Sequence, residues 1–149
     1  MSNSLEWAQR SAKEFKERVS AREREKAVFL EEQRIRTEYT TKLWAEILTS
    51  LNESVISFNQ VMGREVLKVE HEPKRGVVLF RHEPTPQAIN VSCDHGASEV
   101  RVTARSGGHL LSFAVQVDRE TGKAHLVYKA NEPTPEQAAE KIIETLLEL

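Results

Sequence analysis

Two hydrophobic patterns divide this chain, and they change over near residue 63. Before that point, apolar residues recur at alternating intervals of three and four. Leu5, Ala8, Ala12, Phe15 and Val19 make one such stripe; Trp44, Leu48, Leu51, Val55, Phe58 and Met62 make another. Both predict an amphipathic helix. At about 100° per residue the two stripes point in nearly the same direction, so one straight helix carries both on one face. Between them that face is polar, through Arg22, Glu23, Lys26, Gln33, Thr37 and Thr40, with Leu30 the apolar exception. Glu14–Arg18, Glu32–Arg36 and Glu38–Lys42 stand at i,i+4, which favours a solvated helix. All six glycines and all five prolines lie at or beyond Gly63, so nothing breaks the first segment. Ser20-Ala21-Arg22-Glu23 reads as a capping box, and two helices with a break near Ser20 are the alternative.

Length sharpens this reading. A single helix over residues 4–62 would be about 88 Å long, whereas a compact domain of this chain length has a radius of gyration of about 15 Å. Such a helix must project. Residues 1–36 are therefore read as a helical arm and residues 37–149 as a single α+β domain, with a helix over 37–62, strands over 64–130 and a helix over 135–148.

Beyond Gly63 the period shortens to two. Breakers leave strand-sized intervals at 64–72, 77–83, 87–93, 97–105, 109–117 and 123–130. Leu67/Val69/His71, Ile89/Val91/Cys93, Val100/Val102/Ala104 and Leu111/Phe113/Val115/Val117 alternate with polar residues, which predicts strands with one buried face. Links such as 72–76, 94–96 and 106–108 are too short for parallel crossovers, so the sheet is expected to be an antiparallel meander. Thr134, Pro135 and Gln137 then make a helix start with a capping box. Ala139, Ile142, Ile143, Leu146 and Leu147 give that helix an apolar stripe to lay on the sheet. The fold class is accordingly α+β: a long N-terminal helix or two helices, a six-stranded antiparallel meander and a C-terminal helix packed on it. This order broadly resembles helix-grip folds, in which a curved sheet wraps a C-terminal helix around a ligand cavity. The first strand of that fold has no counterpart here and the N-terminal helix is far longer, so the resemblance assigns no residue.

Composition changes little. The chain is 39% hydrophobic and 30% charged with a net charge of −2, which excludes a mostly disordered chain and a globally basic nucleic-acid binder. Cys93 is the only cysteine, so no intrachain disulfide forms. No signal-like run opens the chain, and no apolar run approaches the ~20 residues of a membrane helix. The expectation is a cytoplasmic protein with no membrane span.

Candidate chemistry is thin. His71, His82, His95, His109 and His125 are scattered and form no metal-ligand spacing. His71 and His109 fall on the apolar phase at strand ends. Cys93 continues the apolar phase of Ile89 and Val91 and reads as a small packed hydrophobe. Residues 105–109, the glycine-rich stretch, read as a hairpin turn, not a phosphate loop. The outward sheet face is expected to show Lys68, Glu70, Arg81, Asn90, Arg101, Arg105 and Lys129 with no aromatic to stack a base, so nucleic acid is not an expected partner.

No catalytic residue, cofactor site or metal site is assigned. The function expected is non-enzymatic: an interaction or assembly protein that forms a homodimer, or takes a helical protein partner, through a coiled coil built on Leu5, Ala8, Ala12, Phe15 and Val19. The alternative is a small-ligand-binding module with a cavity between the sheet and the C-terminal helix.

Overall fold

The structure is a computed structural model, and it describes residues 2–73 and 76–149. It shows one long helix, α1 (Ser2–Met62), followed by β1 (Leu67–Glu72), β2 (Gly76–Arg81), β3 (Gln87–Asp94), β4 (Glu99–Ala104), β5 (His109–Val117) and β6 (Ala124–Val127). Helix α2 (Pro135–Leu147) ends the chain. The single-helix reading of the first segment holds. No cap interrupts α1 near Ser20, whose carbonyl instead accepts a hydrogen bond from Arg24 Nε one turn on. By contact the chain divides into two units, one ending at Arg34 and one spanning Ile35–Leu149.

The second unit is the predicted α+β arrangement. Its six strands lie in the order β1-β2-β3-β4-β5-β6, each antiparallel to the next. All six predicted intervals hold a strand. The link predicted over residues 72–76 includes 74 and 75, which lie outside the described residues. Gly76 opens β2 with φ +96°, and a Cβ there would stand 2.2 Å from the carbonyl oxygen of Val91. Only glycine lets the two backbones approach this closely.

One buried cluster unites the unit. It takes Leu67 from β1, Val77 and Leu79 from β2, Ile89 and Val91 from β3, Val100 and Val102 from β4, Leu111, Phe113 and Val115 from β5, and Leu126 from β6. Helix α2 lies against β2 and β3 and adds Ala138, Ala139, Ile142, Ile143 and Leu146. Its start is as predicted. The Thr134 hydroxyl accepts from the Gln137 N–H at 3.2 Å, and the Gln137 carboxamide oxygen accepts from the Thr134 N–H at 3.0 Å. Helix α1 contributes Leu43, Ile47, Leu51 and Val55.

Three expectations about facing need correction. In α1, Trp44, Leu48 and Phe58 are only partly buried and Met62 is exposed, while Thr40, Leu43, Ile47 and Ser50 are buried. The inward face is thus rotated by about 50° from the apolar stripe. Burying Thr40 leaves no hydroxyl unpaired, because its Oγ1 donates to the Arg36 carbonyl at 2.6 Å within the helix. In β2, Arg81 pairs with Leu67 and so shares its inward phase, whereas Phe80 pairs with Lys68 on the outward phase. The outer face therefore does carry an aromatic ring. Phe80 and Val78 lie on that outer phase, Val78 buried and Phe80 half-buried, in a strand whose apolar run hides its own alternation.

His109 is displaced for a different reason. Val102 pairs with Leu111 but Thr103 pairs with His109, so β5 carries one extra residue at this point. A bulge of this kind shifts the phase on one side of it. His109 thereby stands opposite Thr103 on the outer phase, not on the apolar one.

Candidate functional site

Helix α1 up to Arg34 is built of strong helix formers without a glycine or proline, and from Asn3 to Leu30 nearly every side chain is exposed. The interface residues expected from the sequence, Leu5, Ala8, Ala12, Phe15 and Val19, are all in the open: Leu5 is 62%, Phe15 67% and Val19 38% exposed. Trp7, Val28, Phe29 and Leu30 join them. Phe29 was not part of the expected interface, yet a signal for it exists. Counting on from Val19 by three and four reaches Arg22, Lys26 and Phe29. Large apolar side chains clustered in water are an association surface by default.

In the second unit the most chemically varied cleft is about 710 Å³ in volume and is walled by Trp44 and Leu48 of α1, by His71, Glu72 and Pro73, by Gly76 and Val77 of β2, and by Ser92, Cys93 and His95. Cys93 sits next to the end of β3 and His95 in the turn that follows it, and Cys93 Sγ lies 4.0 Å from His95 Nε2. The sequence reading takes Cys93 as a packed hydrophobe and His95 as one of five scattered histidines, and so does not bring the two together. Burial, and secondarily the negative charge of Asp94, push the Cys93 thiol up to about 11. Asp94 itself is held below the usual carboxylate range, first by the Ala97 N–H that its Oδ1 accepts at 3.0 Å and then, against a smaller desolvation effect, by Arg101 at 3.2 Å. A nucleophilic cysteine needs its pKa lowered by a cation or a close base. Here it is raised, so at neutral pH the site holds a neutral thiol beside an imidazole. His71 and Glu72 line the same cleft, but among the described residues no group of three His, Cys, Asp or Glu side chains is placed to hold a metal ion.

A second cleft, of about 550 Å³, is lined by Phe80, Ala88 and Ala104 together with Arg105, His82 and Leu149. The Arg105 guanidinium stands over the Phe80 ring, 5.4 Å from its centroid. Arg81 lines its floor but is committed elsewhere. It is 4% exposed, with Nη1 donating to the carbonyls of Leu146 at 3.0 Å and Leu147 at 3.2 Å. Its Nε and Nη2 both donate to the carbonyl of Thr85, at 3.2 and 2.9 Å. Helix α2 has no basic residue in its last turn, so β2 supplies the cation that its C-terminus favours.

A third cleft, of about 610 Å³, runs between α1 and α2 beside Phe58, Val61, Ile143 and Leu147. Between α2 and the inner sheet face, where a ligand cavity was expected as the alternative, Ile142, Ile143 and Leu146 share one buried cluster with Ile89 and Phe113. Among the described residues no helix is long and apolar enough to cross a membrane. Comparison with known protein families, with curated proteins and with solved structures finds no match to this chain.

Proposed function

We propose that this protein is a non-enzymatic interaction or assembly protein that self-associates through the N-terminal part of α1. One observation carries the reading: Leu5, Phe15, Val19 and Phe29 stand exposed on a continuous helix. Each large side chain left in water forgoes roughly 1.5–3 kcal/mol that burial would contribute. A two-fold pairing covers the same residues on both copies at once, and it is the commonest oligomer symmetry. The neutral Cys93 thiol supports the non-enzymatic half of the reading, since the residue best placed for nucleophilic chemistry is tuned away from it.

The test is the molar mass of the full chain by light scattering at micromolar concentrations, beside a Phe15→Ser/Phe29→Ser variant. A dimer that becomes a monomer on substitution is the expected result. A monomeric parent chain across that range refutes the proposal.

A further inference from the structure

We infer that this self-association, if the reading above holds, is an antiparallel pairing of α1 segments, with its two-fold axis beside Ser20 and Ala21. The argument starts from the seam that three–four spacing defines: Leu5, Ala8, Ala12, Phe15, Val19, Arg22, Lys26, Phe29 and Gln33. These are the a and d positions of a coiled coil, and they include two cations.

Orientation decides where those cations go. In a parallel pair in register, Arg22 faces Arg22 and Lys26 faces Lys26 across the seam. Like charges are then pressed together in its middle. In the antiparallel pair Arg22 faces the second copy's Val19, and Lys26 faces the second copy's Phe15, where an ammonium can rest on the aromatic ring. Phe29 meets Ala12, a large residue against a small one, which suits interdigitation.

The flanking charges agree. Lys16 and Glu23 occupy e positions, and Arg18 and Glu25 occupy g positions. Antiparallel pairing brings e beside e and g beside g. With the axis at residues 20–21, Lys16 meets the second copy's Glu23 and Arg18 meets the second copy's Glu25. Symmetry makes each contact twice. The parallel pair keeps only Arg18 with Glu23, and sets Lys16 beside Ser11 and Glu25 beside Leu30. All four charged side chains are exposed on α1 and free to make these contacts.

Spin labels test the orientation. On a Cys93→Ala background, Glu6→Cys carries a single label on the full chain. Antiparallel copies separate the two labels by about 43 Å along the axis, at 1.5 Å per residue. Parallel helices with axes about 10 Å apart keep them within about 30 Å. A pulsed dipolar distance near 45 Å is the expected result. A distance under 30 Å overturns the orientation while leaving self-association standing. No dipolar signal from a chain of monomer mass overturns both.

Charge reversal gives an independent readout. Lys16→Glu should weaken association roughly tenfold in the antiparallel pair, because two attractions become repulsions. Adding Glu23→Lys should restore it. An unchanged dissociation constant for Lys16→Glu refutes this register, since in the parallel pair residue 16 meets only Ser11.

Discussion

Replacing Arg81 by Met is the sharpest probe of how this fold is closed. The guanidinium is buried and holds four hydrogen bonds to main-chain carbonyls, two to Thr85 and one each to Leu146 and Leu147. No carboxylate pairs with it among the described residues, so its charge rests on carbonyl dipoles and on the C-terminal end of α2. Two effects oppose each other on substitution. The variant no longer has to bury an ion, which by itself favours it, and apolar replacements of buried charges are often neutral or stabilising. Against this, hydrogen bonds from a charged donor contribute about 1.5–3 kcal/mol each, and an orphaned buried carbonyl costs about 1–3 kcal/mol. The Leu146 carbonyl keeps partners in the N–H groups of Glu148 and Leu149. Those of Leu147 and Thr85 lose the Arg81 donor. Loss of the helix-end cation adds about 0.3–2 kcal/mol. We expect a net loss of about 3 kcal/mol, or a melting temperature about 10 °C lower for a chain of this size. Urea unfolding followed by tryptophan fluorescence, with half-buried Trp44 as reporter, measures it. Arg81→Lys should fall between, because one ammonium cannot fork to both Thr85 and the end of α2. An Arg81→Met chain as stable as the parent, or more so, refutes the claim that this residue fastens α2 to the sheet.

Ile143→Ala removes a buried side chain from the cluster shared by α2 and the sheet, and should lower unfolding free energy by about 2–5 kcal/mol; an unchanged denaturation midpoint counts against that packing. Cys93 has its pKa raised, so alkylation by iodoacetamide should be slow at pH 7 and climb until the pH passes about 11. A rate that levels off near the ordinary thiol value of about 8.5 shows that the thiol is not desolvated as described.

How legible these features were depends on which signal carried them. Strands β3, β4 and β5 alternate cleanly, so their inward residues, from Ile89 to Val115, could be read from parity alone. Strand β2 is apolar at consecutive positions and has no parity to read, which is why Arg81 was placed on the wrong face and the outer face was expected to carry no aromatic; only pairing with Leu67 and Lys68 settles Arg81 and Phe80. Residue type misled in α1 as well. Thr40 and Ser50 are buried while Val61 is exposed, so counting apolar residues finds the helix but misaims it. The bulge before Leu111 has no marker in composition, and its phase shift at His109 appears only in the register.

The period chosen to scan α1 matters most for the proposed self-association. A straight helix advances about 3.6 residues per turn and drifts about 20° per heptad from a 3.5 repeat. Between Leu5 and Phe29 that drift grows to about 70°, enough to drop Phe29 from a straight-helix stripe and make the face beyond Val19 look polar. Read at 3.5, Phe29 returns to the seam, and Arg22 and Lys26 become interior positions of a pair instead of a solvated face. The two readings call on the same residues and differ only in whether the helix winds around a partner. Basic residues at a and d weaken a seam that is symmetric about itself, but in an offset antiparallel pair they lie against Val19 and Phe15. The polar centre of the stripe, which on a single helix argues against association, thereby becomes the feature that selects one orientation of it.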